Sequence, residues 1–137
     1  MQDIISLYRH YPKYNHLKDS DIQHYIRPSI LLNQYKKHYN KDKLVGFTNW
    51  AYLSDDAQHI LQKKGIISNQ DWNSGNNLWH IETICTSHLR DIMSWTKNNF
   101  TKVFGIGKII KWLRTDNETI YRYATRTTKE SWLWVHL

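Results

Sequence analysis

The spacing of apolar residues predicts helices in the first part of the chain. Residues 4–10 follow the helical period, and a second helix is predicted to begin at Ser20, because Ser20 and Gln23 have the spacing of a capping box. Proline is tolerated best in the first turn of a helix, so we expect Pro28 to break this helix near Arg27. The helix then restarts and runs to about residue 33.

The pattern next changes to one typical of strands and then returns to a helix. Residues 34–39 and 44–53 are rich in aromatic and β-branched residues and flank a polar turn at residues 40–43, which predicts an antiparallel hairpin. The helix that follows has clear signals at both ends. Ser54 is its N-cap, aspartates fill its first turn, lysines fill its last turn, and Gly65 terminates it.

The remaining segments predict mostly strands. Four of them have strand composition: residues 78–85, 108–114, 119–126 and 132–137. The second and third flank a polar turn and predict another hairpin, and the fourth predicts an edge strand. Residues 87–99 predict a helix with one face formed by Leu89, Ile92, Met93 and Thr96. Together these elements predict an α+β fold in which helices flank a mainly antiparallel sheet.

Length, composition and charge narrow the class of protein. With 137 residues, 40% of them hydrophobic, and only two prolines and five glycines, the chain has the composition of one folded domain over residues 1–137. Its 19 basic residues exceed its 12 acidic residues by 7. This charge predicts an acidic partner, although a well-solvated surface alone also accounts for it.

Cysteine content and hydropathy predict a compartment. Cys85 is the only cysteine, so an intrachain disulfide is excluded and a reducing compartment is favoured. A strand-end cysteine is expected to pack rather than to act as a nucleophile. No stretch reaches the ~18 uncharged apolar residues of a membrane span, and residues 1–9 lack the features of a signal peptide. We therefore expect a cytoplasmic protein without a membrane span.

Several common kinds of site have no motif in this chain. The sequence has no phosphate-binding glycine loop, HExxH, paired CxxC or GxSxG motif, so nucleotide hydrolysis, structural zinc and the common hydrolase arrangement have no support. The eight histidines do not show metal-ligand spacing, and no metal or cofactor is predicted. Seven tryptophans and nine tyrosines could form a stacking platform for nucleic acid, but aromatic residues in strands are more typical of a core, so no nucleic acid partner is predicted.

The predicted strand at residues 78–85 contains a candidate for proton transfer. Residues two apart in a strand point to the same face, so we expect His80 and Glu82 to be neighbours. A carboxylate beside an imidazole fixes its tautomer and raises its basicity, as a general base requires. The alternative is that these residues form only a polar sheet surface.

Three blocks of sequence resemble those of a known family. They are Pro28 preceding Asn33-Gln34-Tyr35, then Trp50-Ala51-x-Leu53-Ser54, and Asp71-Trp72-Asn73-Ser74-Gly75 followed by Trp79-His80-Ile81-Glu82. In order and spacing they resemble the bacterial toxin-activating lysine acyltransferases, cytosolic proteins that acylate RTX toxins such as haemolysin before export. The similarity is clear over residues 4–82 and continues more weakly to about residue 126.

This resemblance implies a GNAT-like acyltransferase fold, often dimeric, that moves a fatty acyl group from acyl carrier protein to a lysine of a protoxin. Acyl carrier protein is strongly acidic, so it supplies a reason for the excess positive charge. Charge clustering suggests five docking residues: Lys108, Lys111, Arg114, Arg122 and Arg126. The predicted substrate-binding residues are Trp50, Trp72, Ser74, Trp79 and Arg114.

The chain departs from the family's pattern at both catalytic positions. The family has a histidine in a Ser-Pro-Leu-His motif after the first helix and an aspartate at the end of its Trp-x-Ile-Asp block. Here a gap-free comparison places Tyr14 at the histidine and Glu82 at the aspartate. A phenol is a poor base at neutral pH, so His16, two residues on, or His80 with Glu82 is predicted to replace the family histidine.

These departures leave three functions open. The first is transfer of an acyl group to a toxin or bacteriocin peptide. The second is a role found among divergent relatives in siderophore-microcin gene clusters, where a partner protein helps attach a glycosylated catechol siderophore to the microcin's C-terminal carboxylate. The usual Ala-Pro-Phe-Gly after the aspartate is replaced by Cys85-Thr86-Ser87-His88, which favours this second role. The third is a non-catalytic binding subunit of a maturation complex. A homodimer or a hetero-oligomer with a maturation partner is compatible with all three.

Overall fold

A computed structural model describes residues 1–117 and 120–134, with side chains for residues 1–113 and 123–133. Within this part of the chain, the helices are α1 (Gln2–Tyr8), α2 (Asp19–Leu31), α3 (Asp55–Lys64) and α4 (Leu89–Phe104). The strands are β1 (Tyr35–Asn40), β2 (Lys43–Leu53), β3 (Asn77–Cys85), β4 (Ile109–Asn117) and β5 (Ile120–Thr127). Two short 3₁₀ helices cover Asn69–Asp71 and Glu130–Trp134.

The strands form one open sheet in chain order, from β1 to β5. Neighbouring strands are antiparallel except β3 and β4, which run parallel. The parallel pairing joins only Trp79 to Lys111 and His80 to Trp112, so the rest of β3 is not paired with β4. The prediction of an α+β fold with a mainly antiparallel sheet is confirmed. The GNAT-like arrangement stays a prediction.

The first hairpin and α3 form as their sequence signals predict. The hairpin turns at Lys41, whose φ of 56° lies in the left-handed region. The Ser54 hydroxyl accepts a hydrogen bond from the Ala57 N–H at 3.0 Å and caps the N-terminus of α3. Gly65 ends the helix with a φ of 70°.

Helix α2 differs from its prediction at its start. Lys18, not Ser20, is the N-cap residue, and the Asp21 carboxylate accepts a hydrogen bond from the Lys18 N–H at 3.3 Å. The predicted Ser20–Gln23 capping box is therefore wrong. Asp21, two residues before Gln23, performs the capping function that was predicted for Gln23.

Helix α2 also runs through Pro28 without the break predicted near Arg27. The residues around the proline pack firmly: Ile22, Ile26 and Ser29 are buried, and the Ser29 hydroxyl donates to the Ile26 carbonyl at 2.8 Å. Burial of this face offsets the hydrogen bond that proline removes, since tertiary packing supplies most helical stability in a folded protein.

Two further predictions need correction. Helix α4 continues beyond residue 99 to Phe104, and its buried residues are Ile92, Thr96, Phe100 and Thr101, whereas Leu89 is 56% exposed. The edge strand predicted from Trp132 is wrong over residues 132–134, which lie in a 3₁₀ helix. Trp132 there packs in a buried cluster with Phe100, so its aromatic character reflects the core. Residues 118–119 of the second turn and 135–137 lie outside the described residues.

The sheet has helices on both faces. On one face, Phe47 and Ile84 pack in a cluster with α1 and α2, while Ala51, Leu53 and Trp79 pack in a cluster with residues of α3. On the other face, Leu78 and Ile110 pack in a cluster with α4 and Trp132. The clusters leave a cleft on the α2 and α3 side, where β3 separates from β4.

Candidate functional site

A cleft of about 1070 Å³ lies beside β3. Its walls come from the segment after α1, the start of α2, the segment after α3, and strands β3 and β4. Residues 79–84 of β3 line it, and most of them lie beyond the short parallel pairing with β4. The cleft therefore lies where β3 continues without β4 as its neighbour. A concave site of this size accommodates a small substrate or part of a larger one.

Glu82 lies in this cleft with its carboxylate held by two phenols. Its Oε2 accepts hydrogen bonds from the Tyr14 hydroxyl at 2.9 Å and from the Tyr25 hydroxyl at 3.2 Å. Tyr14 is 9% exposed. Tyr25 is 42% exposed, but its hydroxyl is directed inward at the carboxylate. The structure thus joins Tyr14 and Glu82, the residues that the resemblance aligns with the two catalytic positions of the family.

A third tyrosine completes the surroundings of this carboxylate. The Tyr8 ring centroid lies 4.9 Å from that of Tyr14 and 6.4 Å from that of Tyr25. We call these three residues the tyrosine cluster. Among the described residues, neither the Tyr8 hydroxyl nor Glu82 Oε1 has a hydrogen-bond partner, and both atoms are buried. The Tyr8 hydroxyl nevertheless lies near enough to Glu82 to lower the pKa of its carboxyl, so three phenols surround the carboxylate.

The electrostatics of the cleft distinguish Glu82 from Tyr14 as a candidate proton acceptor. Burial raises the pKa of Glu82, while the Tyr14 hydrogen bond, the Lys13 charge and the Tyr25 hydrogen bond lower it in part. Burial and the charge of Glu82 also raise the pKa of the Tyr14 phenol above its ordinary value. Tyr14 is therefore a hydrogen-bond donor at neutral pH and not a base, so it cannot replace a histidine as proton acceptor.

His80 does not share a face with Glu82, and that prediction is wrong. Across the β2–β3 pair, Asn49 is opposite Glu82 whereas Trp50 is opposite His80, so β3 has one extra residue, Ile81. This bulge reverses the alternation of side chains. The His80 ring consequently packs on Phe100 of α4, with ring centroids 5.9 Å apart.

The proton affinity of His80 also differs from the prediction. Burial lowers its pKa to about 4, and a hydrogen bond with the Glu82 backbone opposes this shift only in part. The imidazole is therefore neutral at neutral pH, and no carboxylate raises its basicity. His80 still lines the cleft, where β3 leaves β4.

His16 is not brought to the site. It is exposed in the segment between α1 and α2 and is not among the residues that line the cleft. Cys85 likewise does not line the cleft, and its backbone N–H donates to the Tyr11 hydroxyl at 2.9 Å. Neither residue has a position from which it reaches a group bound beside Glu82.

The predicted substrate-binding residues separate into two groups. Trp72 and Trp79 line the cleft, and the Trp79 indole donates to Gln58 Oε1 at 3.1 Å. Trp50 faces α4 and packs edge-on against Phe100. Ser74 shapes a loop, since its hydroxyl accepts from the Ser54 N–H at 2.9 Å and donates to the carbonyl of Asp71.

The five docking residues predicted from charge clustering differ in how much of them the structure describes. The side chains of Arg114 and Arg122 lie outside the described residues, so their predicted contacts stay predictions. Lys108 and Arg126 are exposed, as docking residues must be. Lys111 instead donates to Gln58 Oε1 at 3.0 Å, on the acceptor that also binds the Trp79 indole.

Sequence reasoning missed Tyr8, Tyr25 and Lys13 as parts of the site. Tyr8 and Tyr25 belong to predicted helical segments, where an aromatic residue indicates only core packing. Lys13 stands 5.3 Å from the centroid of the Tyr14 ring and contributes positive charge near Glu82. No local signal connects these residues to a carboxylate 57 to 74 positions later in the chain.

The described residues also define what the site can hold. No three His, Cys, Asp or Glu side chains in residues 1–113 and 123–133 are grouped so as to hold a metal ion. Among the helices described, none has the length and apolar character needed to cross a membrane.

A buried carboxylate with a raised pKa in an open cleft marks a candidate functional site. Comparison with known proteins specifies the class. The sequence profile of the RTX toxin acyltransferase (HlyC) family matches residues 1–125, and the chain belongs to this family. The predicted family membership is thereby confirmed. An uncharacterized protein of Synechocystis sp. is 34% identical over 112 residues, which cover 77% of this chain and 74% of that protein.

Proposed function

We propose that this chain transfers a fatty acyl group from acyl carrier protein to a lysine amine of a toxin or bacteriocin polypeptide. Membership of the RTX toxin acyltransferase family supports an acyl transfer role. The observation that carries the proposal is the position of Glu82: a buried carboxylate in the cleft, at the family's aspartate position and bound by the residue at its histidine position.

The reaction requires a base, because a lysine side chain with an ordinary pKa of about 10.4 is protonated at neutral pH. The deprotonated amine attacks the thioester carbon, so that a C–N bond forms and the C–S bond breaks. Glu82 accepts the proton that the ammonium loses to become the amine and later releases it to solvent. After attack, the nitrogen loses a second proton, which the departing carrier thiolate takes up. Burial raises the pKa of Glu82, which makes it a stronger base than an exposed carboxylate.

The tyrosine cluster holds this base in place. Tyr14 and Tyr25 both donate to Oε2, and these two hydrogen bonds fix the orientation of the carboxylate. Two phenols with raised pKa values remain protonated donors throughout the reaction. A fixed carboxylate keeps its orientation between turnovers, which is a large part of the advantage of an enzyme site.

Other parts of the surface suit the proposed substrates. Leu61, Ile67, Trp72 and Leu113 form an apolar wall of the cleft, as an acyl chain requires. The net charge of +7 and the exposed side chains Lys108 and Arg126 suit docking of an acidic carrier. Use of acyl carrier protein as donor implies action in the cytoplasm. The chain would act there alone, as a homodimer or with a maturation partner.

One observation favours a second candidate function. Tyr14 stands at the family's histidine position, and its phenol does not act as a base. This substitution suits attachment of a glycosylated catechol siderophore to a microcin C-terminal carboxylate, assisted by a partner protein. It also suits a binding subunit without catalysis. The three functions differ in their product, so product identification separates them.

The experiment uses the purified chain and acyl carrier protein loaded with an alkynyl fatty acid. Proteins extracted from the producing cell serve as acceptors, and mass spectrometry locates the label after proteolysis. A labelled lysine amide that forms only with the active chain supports the proposal. An adduct between a glycosylated catechol siderophore and a microcin C-terminal peptide, formed with the neighbouring gene product, supports the second candidate instead. Tight association with another protein and no product supports the binding subunit.

A further inference from the structure

A continuous polar chain crosses the sheet on the α4 face, opposite the tyrosine cluster. His80 Nε2 lies 2.7 Å from Thr83 Oγ1, Thr83 Oγ1 lies 3.2 Å from Thr48 Oγ1, and Thr48 Oγ1 lies 2.9 Å from His38 Nε2. We call these four residues the histidine–threonine chain. It connects an imidazole that lines the cleft on β3 with a second imidazole on β1, through a threonine of the strand between them.

The number of hydrogens restricts how this chain is protonated. Three hydrogen bonds need three hydrogens, and the two threonine hydroxyls supply two. The third must come from Nε2 of one histidine. If both imidazoles donated, one threonine hydroxyl hydrogen would have no acceptor among the described residues. If neither donated, one bond would be missing. Full satisfaction therefore requires opposite Nε2 states at His80 and His38.

The surroundings of the chain keep it intact and uncharged. Thr48 is fully buried, and His38 is 8% exposed, with its ring edge-on to Trp95 at a centroid distance of 5.1 Å. Water therefore has little access to the middle of the chain, where an unmade hydrogen bond is most costly. Burial lowers the pKa of both His38 and His80 to about 4, so both rings are neutral at neutral pH and each has one N–H.

We propose that His38, Thr48 and Thr83 are positioning residues that determine which ring nitrogen of His80 carries its hydrogen. His38 and His80 then always have opposite tautomers, and a change at His38 is transmitted to His80 through the two hydroxyls. The tautomer of His80 decides whether its other ring nitrogen can donate a hydrogen bond, and the Glu82 backbone is the partner already identified for this ring. The use of this coupling in acyl transfer rests on the proposed function, but the coupling itself does not.

The test measures tautomers directly. In the full chain labelled with nitrogen-15 histidine, long-range nitrogen–proton NMR correlations identify which nitrogen of each ring is protonated. Wild type is expected to show opposite tautomers at His38 and His80. His38→Gln, in which the amide can donate or accept, is expected to shift the His80 tautomer population. His59→Gln, at an exposed position on α3, is the matched control and leaves His80 unchanged.

A pair of nearly isosteric variants shows whether the coupling passes through the hydroxyls. Thr48→Val breaks the chain but keeps its shape, so His38→Gln added to it no longer affects His80, whereas Thr48→Ser keeps the effect. The same tautomer at both histidines in wild type, or an unaltered response to His38→Gln in the Thr48→Val background, overturns the proposal. We expect Thr48→Val to lower kcat for acyl transfer about 10-fold with KM unchanged. If acyl transfer is normal and the two tautomers are not coupled, the proposed function stands and only this inference is refuted.

Discussion

Removing the Tyr14 hydroxyl is the most informative structural perturbation of the site. In Tyr14→Phe, the Glu82 carboxylate loses its 2.9 Å phenol bond and retains only the 3.2 Å bond from Tyr25. A hydrogen bond to a charged group contributes about 1.5–3 kcal/mol to the free energy of unfolding. Since Tyr14 is 9% exposed, little water can replace the lost donor. At about 3 °C per kcal/mol for a domain of this size, Tm should fall by about 5–9 °C.

The tyrosine cluster provides matched controls for this variant. Tyr25→Phe removes a longer bond from a partly exposed residue, so its cost should be smaller, about 0.5–1.5 kcal/mol. Tyr8→Phe removes a buried hydroxyl that lies near Glu82 and lowers the pKa of its carboxyl, but that makes no hydrogen bond within normal distance among the described residues, so its cost should be the smallest, about 0–1 kcal/mol. All three variants delete one oxygen from one ring. Urea unfolding followed by tryptophan fluorescence measures each free energy of unfolding.

The pH dependence of the Tyr14→Phe cost has a definite sign. The Tyr14 hydrogen bond lowers the pKa of Glu82, so it stabilises the fold when Glu82 is ionised. Its contribution is therefore present above the pKa of Glu82 and lost as the pH falls through it. Burial raises the pKa of the same carboxyl, but it does so in wild type and variant alike. Its contribution therefore largely cancels in the difference between their free energies of unfolding. Equal costs for the three phenylalanine variants, or a Tyr14→Phe cost that is the same at about pH 8 and about pH 4, would refute this reasoning.

Two further predictions concern the loop beside the cleft and the carrier surface. A Cβ at Gly75 would lie 2.6 Å from backbone atoms of residues 53–54, so Gly75→Ala should cost about 1–3 kcal/mol. Gly46→Ala should cost less, because its nearest contact at 2.5 Å is a flexible side-chain end, and equal losses in urea unfolding would contradict this. The double variant Lys108→Glu, Arg126→Glu should weaken binding of acyl carrier protein about 10-fold at low salt but not at about 1 M salt. Lys43→Glu, on the far hairpin, is its control in a titration by fluorescence anisotropy, and an equal loss there would exclude a local docking surface.

Local signals in the sequence predicted the elements whose cause is local. Ser54 and Gly65 delimit α3 because capping and a left-handed terminator depend on a few adjacent residues. The contact between Tyr14 and Glu82, 68 positions apart, was indicated only by the resemblance, which aligned both with catalytic positions of the family.

The failures come from interactions that no local pattern contains. Strand alternation predicted that His80 lies beside Glu82. In the pairing with β2, however, Ile81 forms a bulge, and the two side chains therefore lie on opposite faces of the sheet. Pro28 was expected to break α2, and packing of that face overrides its local preference. Tyr25 was missed because its contact with Glu82 depends on how α2 lies against β3.

The most direct test of the account is the rate of lysine acylation by three variants, measured with the labelled acyl carrier protein and the acceptor that the product analysis identifies. Glu82→Gln removes the base, and we expect it to lower the rate about 10²-fold or more. Glu82→Asp restores the family residue and should retain much of the activity, and His16→Ala, exposed and outside the cleft, should match wild type. A Glu82→Gln rate equal to that of wild type, or a loss in His16→Ala as large as in Glu82→Gln, would contradict the assignment of Glu82 as the proton acceptor.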